Sequence, residues 1–273
     1  MRIAILLTVF NRMEVTRKCL KNLSNLQDPS LEIDIYVVDG GSDDGTVQML
    51  DLEFPLIKSR ILKGAYWNQG MVHAWDWAAS REYDFFLLLN DDVELSDSWL
   101  FQMLETYLRE KPFSIIVGKI LDRKNGHKIY GGLYRRSRIS KLNFTLESNF
   151  NRKIVTFNGN CVLIPSCVHR ELGSLNPKYS HSFGDIDYGL RASKIGIPIR
   201  ETESAIGYGT RNNTIYSGNL TQKPSIREVF SPKGIPPTEW LVFCKSFGGV
   251  LWPINYFFRY IKLFFFTQTY RRL

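Results

Sequence analysis

The sequence predicts an α/β fold built on a parallel sheet, followed by a helical C-terminal extension. Three observations carry this. Short runs of Ile, Val, Leu and Phe recur with continuous apolar character, as strands buried on both faces of a parallel sheet require. Helical periods separate them, and the strand ends turn polar and acidic. The 273 residues, 44% hydrophobic and 14% aromatic, have the composition of a folded globular chain and exclude disorder as the dominant state.

The first strand is expected at residues 3–9, followed by strands at 33–38, 85–89 and 114–120. Between the last two, Trp99, Leu100, Met103, Leu104, Tyr107 and Leu108 repeat at i, i+3, i+4. Ser96 or Asp97 is placed to cap that helix and Pro112 lies beyond it. Strand alternating with helix gives a sheet of right-handed crossovers. After Ile120 a Gly- and Arg-rich stretch follows, and residues 155–165 then read as one more strand leading into a short helix. A further helix opens at Gly184 and ends at Gly196. The expected division is an α/β domain over 1–220 and a basic, aromatic helical extension over 221–273.

The apolar-rich stretch 246–258 is 13 residues long and contains Gly248, Gly249 and Pro253. A spanning helix needs about 20. The apolar run 3–10 is short for a signal core and leads straight into Asn11 and Arg12, so it reads as a strand. A cytoplasmic protein, with its tail at the inner membrane face as one option, is expected. Cys19, Cys161, Cys167 and Cys244 form no CxxC pair, so reduced, mostly buried thiols are expected and no zinc site.

The net charge of +8 is unevenly spread. Residues 119–153 carry ten Lys/Arg against Asp122 and Glu147; residues 221–273 carry eight against Glu228 and Glu239. Two basic surfaces around an acidic centre suit phosphate-bearing partners. No nucleic-acid-binding motif accompanies them, so nucleic acid is not an expected partner.

In open α/β sheets the ligand sits outside the C-terminal strand ends. Here those ends read Thr8-Val9-Phe10-Asn11-Arg12, then Asp39 to Thr46 (DGGSDDGT), then Asn90-Asp91-Asp92. Acids converging on one edge repel unless a cation joins them, and a divalent ion with a nucleotide diphosphate meets that need. Oxygen ligands favour Mg²⁺ or Mn²⁺. The plain alternatives are helix caps and tight turns. The Asp39 loop has neither P-loop nor dinucleotide spacing.

Taken in order, TVFNR, VVDGGSDDGT, LLLNDDVEL, NGNCVLIP and FGDIDYGLR resemble the family 2 glycosyltransferases of the GT-A fold, over roughly residues 2–210. The tail SPKGIPPTEW at 231–240 is similar to that of a bacterial subgroup. The resemblance implies an inverting transfer from a nucleotide-diphosphate sugar to a glycan acceptor, lipid-linked acceptors included, in surface polysaccharide or glycoconjugate synthesis. It implies that Asp39 binds the donor's base and that Thr8, Phe10, Asn11 and Arg12 line the nucleotide. Asn90 and Asp91 would approach the ribose or sugar, and Asp92 would hold the metal. Trp67, Asn68 and Gly70 would cover nucleotide and sugar, and Asp185 matches the catalytic base.

Asp187 is the second candidate base. Two residues on a helix subtend about 200°, so both acids cannot face the donor. Asp185, at the helix mouth, is favoured; Asp187 is expected to serve the helix dipole or bind Arg191 at i+4. Two departures from the family pattern stand out. No His occupies 206–212, where a metal ligand is common, and Arg211 would supply positive charge to the diphosphate instead. Gly184 stands where an acid is common.

The tail interleaves Trp252, Tyr256, Phe257, Phe258 and Tyr260 with Arg259 and Lys262. It is expected to meet either an anionic membrane surface or the core of the protein or a second subunit. The rival activities are a nucleotidyltransferase, which calls for a Gly-rich basic loop after the first strand, and a nucleotide-sugar-binding module without catalysis.

Overall fold

The computed structural model describes residues 1–26, 28–110, 113–137, 141–147, 153–210 and 224–265. The chain opens with β1 (Arg2–Val9), α1 (Met13–Ser24), β2 (Glu32–Asp39), α2 (Thr46–Glu53), β3 (Lys58–Ile61), α3 (Trp67–Ala78) and β4 (Phe85–Leu89). Strands β1, β2, β3 and β4 are parallel, and β1 pairs β2 from Arg2↔Glu32 to Val9↔Asp39. That flush register brings the loops after Val9 and Asp39 out side by side.

Alternation along β1 shows why the runs are continuously apolar. Ile3, Ile5, Leu7 and Val9 enter one core with Cys19, Leu20 and Leu23 of α1 and Met49 and Leu50 of α2. Ala4 and Leu6 enter the opposite core with Met71, Ala74 and Trp75 of α3. Both faces are covered, as the composition requires. In α1 the buried residues Thr16, Cys19, Leu20 and Leu23 fall at i, i+3, i+4, i+7, one helical face.

The chain continues through β5 (Glu94–Leu95), α4 (Trp99–Arg109) and β6 (Ile115–Asp122). The N-cap of α4 is Ser98, without a side-chain cap; Ser96 instead accepts the Trp99 N–H on its carbonyl at 3.1 Å. The expectation of a Ser96 or Asp97 cap is corrected by that backbone bond.

Next come β7 (Lys128–Tyr130), β8 (Gly132–Arg135), β9 (Phe144–Thr145), β10 (Ile154–Phe157) and β11 (Cys161–Pro165). The single strand expected at 155–165 is two. β10 belongs to a small sheet of order β10-β8-β9, and Asn158-Gly159-Asn160 turns the chain into the main sheet. Because β11 enters from that end, it runs antiparallel between β4 and β6, so the sheet is mixed rather than wholly parallel. Helices α5 (Ser166–Leu172) and α6 (Gly184–Lys194) and the long strand β12 (Ile199–Gly209) complete the main layers, with order β3-β2-β1-β4-β11-β6-β12-β5.

The tail forms α7 (Ile226–Val229), α8 (Pro237–Phe247), a 3₁₀ turn (Gly249–Leu251) and α9 (Trp252–Phe265). Trp240, Phe243 and Cys244 of α8 share a third buried cluster with Tyr179, Phe183, Ile186 and Leu190. Leu142, Phe144 and Leu146 pack against it. Helix α8 therefore supports the start of α6. Cys19, Cys161 and Cys244 are buried free thiols and Cys167 is half-buried and free. Among the described residues no helix is long and apolar enough to cross a membrane.

Candidate active site

Loops at the C-terminal ends of β1, β2 and β4 open on one edge. The first two are stitched together: Asn11 N–H donates to Ser42 Oγ at 2.8 Å, and Asp43 N–H donates to Asn11 Oδ1 at 2.9 Å. Asn11 itself is left-handed, φ 48°, a conformation Asn tolerates better than most residues. Asp44 serves structure. Its carboxylate accepts the Met13 N–H at 2.8 Å and the Thr46 N–H at 3.1 Å, satisfying orphan donors at the starts of α1 and α2.

Asp39 is 1% exposed. Its Oδ1 accepts N–H groups from Gly41 at 2.7 Å and Ser42 at 2.6 Å, whereas Oδ2 is buried without a hydrogen-bond partner among the described residues. A buried unpaired acceptor is costly unless a ligand donor completes it. Asp39 also lines a cavity of about 290 Å³ with Val47, Leu50, Ser59 and Arg60. A larger cavity of about 420 Å³ lies by Met1, Asp84 and Pro165, at the opposite strand ends and away from these acids.

At the end of β4 the two aspartates part. Asp91 faces inward, accepts Thr16 Oγ1–H at 2.7 Å and pairs with Arg12 at 2.8 Å. Burial pushes its carboxyl pKa up. Asp92 keeps 30% of its side chain exposed and lies 3.3 Å from the same guanidinium. Among the described residues no three His, Cys, Asp or Glu side chains form a metal cluster. One accessible carboxylate fits a hard divalent ion that takes its other ligands from diphosphate oxygens and water. Of the two aspartates, Asp92 is the accessible one.

Trp67 opens α3 and donates Nε1–H to Asn90 Oδ1 at 2.7 Å. Its ring lies against Gly159, where an added Cβ would come within 2.7 Å of it. Gly159 thus admits the indole and presents its N–H to Asp185 Oδ2 at 2.8 Å. Asp185 Oδ1 accepts the Ile186 N–H, also at 2.8 Å. Burial raises the Asp185 pKa above the ordinary carboxylate value. Trp67, Asn90, Gly159 and Asp185 therefore form one connected wall. Phe10 is 51% exposed at the cleft edge, and Thr8 is buried with its hydroxyl 3.5 Å from the Trp67 carbonyl.

Three candidates point away from that wall. Asn68 is fully buried and donates Nδ2–H to the carbonyls of Tyr179 at 2.7 Å and Asn176 at 3.0 Å, so it anchors the loop before α6 rather than covering a ligand. Gly70 lets α3 approach β1: a Cβ there would stand 2.4 Å from Thr8 Cγ2. Asp187 is 2% exposed and accepts from Arg191 Nε at 2.6 Å and Tyr179 Oη at 3.1 Å. Its carboxylate is committed to the core, which corrects its place beside Asp185 among the candidate bases. Arg211 lies outside the described residues.

The Gly184 departure has a steric cause. A Cβ at that position would be 1.6 Å from Asn68 Oδ1, so an acid there would require Asn68 to shift from the position it holds. Gly184→Ala is expected to destabilise the fold by about 1–3 kcal/mol through overpacking, read as a lowered Tm. An unchanged Tm would show that Asn68 moves freely.

Sequence reasoning missed the support behind α6. Phe183 holds φ 75° just before Gly184, a left-handed conformation that costs a bulky residue about 1–3 kcal/mol. Its ring stacks on Phe243 at 5.1 Å and lies 5.5 Å from Trp240. Ser180 Oγ donates to Glu239 at 2.6 Å, and Ser182 Oγ lies 3.5 Å from the Pro232 and Gly234 carbonyls. The SPKGIPPTEW segment thus braces the loop carrying Asp185. His181 within that loop has its pKa lowered to about 4 by burial and by the Lys233 and Arg12 charges.

The profile described as "Glycosyl transferase family 2" matches residues 4–171, more than half of the chain. A comparison of this chain with curated proteins finds no match. Among solved structures, S. aureus TarS 1-349 is similar with a TM-score of 0.57 at 16% identity, over 77% of this chain and 60% of that one. The chain thus spans about 60% of that relative's length. The same TarS fragment in complex with UDP-GlcNAc gives 0.59 at 13% identity, over 100% of this chain and 77% of that one. The mannosyltransferase PcManGT from Pyrobaculum calidifontis, in complex with GDP-Man and Mn2+, gives 0.55 at 12% identity, over 98% and 82%. These likenesses bear out the GT-A fold. With its ordered motifs and this match over more than half its length, the chain belongs to glycosyl transferase family 2.

Proposed function

We propose that this protein is an inverting glycosyltransferase that moves a sugar from a nucleotide-diphosphate donor to a hydroxyl of a glycan acceptor. The observation that carries the reading is the Asp185 carboxylate, held by two backbone N–H groups in the wall shared with Trp67 and Asn90. The acceptor oxygen would bond to the sugar C1 as the C1–diphosphate bond breaks, and Asp185 would take the hydroxyl proton. Its raised pKa suits that task, because a stronger base accepts the proton more readily. A single displacement inverts C1.

The unpaired Asp39 Oδ2 would accept an N–H from the donor's base. Asp92 would hold Mg²⁺ or Mn²⁺, whose contribution when bound is to neutralise charge on the departing diphosphate. Arg12 and Lys233 would add positive charge nearby. Ligands named for the similar structures, UDP-GlcNAc and GDP-Man with Mn2+, support this donor class. Three buried free thiols suit a reducing compartment, and we place the enzyme in the cytoplasm, serving surface polysaccharide or glycoconjugate synthesis.

Calorimetry with UDP-, GDP- and dTDP-sugars, with and without Mn²⁺, tests the donor and metal assignments together. Asp92→Ala is expected to erase the Mn²⁺-dependent part of donor affinity, about tenfold or more, or roughly 1.4 kcal/mol, without a change in Tm. Unchanged affinity in Mn²⁺ removes the metal assignment. Released nucleoside diphosphate identifies transfer. Pyrophosphate release would favour the nucleotidyltransferase, and binding without turnover the non-catalytic module.

A further inference from the structure

We propose that the outer face of α9, with the turn that precedes it, binds the surface of an anionic lipid bilayer. This rests on the tail's own geometry and stands whether or not the transfer reading holds.

Helix α9 is apolar on two sides, and among the described residues only one is packed. On the inner side Leu263 is buried, and Trp252, Tyr256 and Tyr260 pack against the α8 cluster. Trp240 Nε1–H donates to the Tyr256 carbonyl at 3.2 Å and Tyr260 Oη to the Ile235 carbonyl at 3.0 Å. On the outer side Ile254, Phe257, Phe258 and Ile261 fall at i, i+3, i+4, i+7, each at least 45% exposed. Leu251 and Val250 extend the stripe, the latter 95% exposed. Scattered exposed apolar residues need no account; a continuous stripe of six does.

The surrounding charge indicates the occupant. Among the described residues the tail carries Arg227, Lys233, Lys245, Arg259 and Lys262 against Glu228 and Glu239. From the other basic stretch, Lys141 comes to the same place: a Cβ at Gly249 would lie 3.0 Å from Lys141 Nζ, so that ammonium rests beside the turn. Lys245 stands 5.3 Å over the Trp252 ring, and Lys262 follows Ile261 on the exposed side. Aromatic and branched apolar side chains flanked by cations are what an interfacial helix presents to acidic headgroups. A symmetric pairing of two copies through this face would set like charges against each other. At 14 residues, α9 is about 21 Å long, short of the roughly 30 Å hydrocarbon core. It would lie on the bilayer and not cross it.

Trp240 and Phe243 are core residues, so point substitutions test the face better than truncation. Full-length protein is sedimented with vesicles of phosphatidylcholine alone and of phosphatidylcholine mixed with phosphatidylglycerol. The expected result is binding to the mixed vesicles that weakens as salt is raised. The Phe257→Glu/Phe258→Glu protein should bind at least about tenfold more weakly, the scale of losing one buried ring. Both rings are more than half exposed, so its Tm should match the parent. If that variant fails to fold, the lipid and salt dependence of the parent still decides. No binding to the mixed vesicles overturns the proposal, and so does equal binding to both vesicle types. A dimer in solution that the double substitution dissociates, with vesicles ignored, overturns it in favour of a second copy.

Discussion

Transfer by the Asp185→Asn protein is expected to fall by roughly 10²-fold or more, the usual contribution of a general base, while donor affinity stays nearly unchanged. Asn keeps the volume of Asp but has one accepting oxygen where Asp185 uses two, for Gly159 and Ile186. One backbone N–H therefore loses its acceptor, and a stability cost of about 1 kcal/mol should accompany the loss of rate. The pH profile gives a second readout. Burial raises the Asp185 pKa, so kcat/KM of the parent should decline on acidification at a pH above the ordinary Asp value of about 3.9. Steady-state rates and calorimetry on the same preparations separate base from binding residue. An Asp185→Asn protein with near-normal rate, or with donor affinity lost in proportion to rate, would sink the assignment.

The strands with continuous apolar character were legible in the sequence to within one or two residues, because burial on both faces leaves no polar alternation to confuse. Strand β12 was not. Its sequence IRETESAIGYG is broken by acids, and its pairing with β6 slips register twice. The direction of β11 was equally hidden, since CVLIP has the same composition whichever way it runs. Only its connection to β10, in another sheet, sets the polarity.

The acidic clusters were legible as clusters, but the division of labour within them was not. A carboxylate's task is set by what faces it. Thr16 and Arg12 turn Asp91 into a buried ion-pair partner, and orphan N–H groups occupy Asp44. Asp39 alone among the strand-end acids keeps a buried oxygen unpaired by hydrogen bond or ion pair. The brace on Phe183 comes from Trp240 and Phe243, more than fifty residues away, a distance no local pattern spans.

Asp187→Ala is expected to do the reverse of Asp185→Asn: stability falls steeply, while the rate per folded molecule survives. Asp187 is 2% exposed and compensates Arg191 across one helical turn at 2.6 Å, with Tyr179 Oη and Asn176 Nδ2 on its other oxygen. Removing one member of a buried pair strands the other charge, at a cost of about 3–5 kcal/mol. Arg191 keeps carbonyl partners at Leu172 and Ser174 and 26% of its side chain exposed, so the lower end of that range is expected. Urea denaturation with parallel rate measurements below the melting transition checks both halves. Asp187→Leu combined with Arg191→Met should recover part of the loss, because it removes the stranded charge and refills the volume. A normal midpoint with abolished transfer would reverse the roles of the two acids and place the catalytic proton on Asp187.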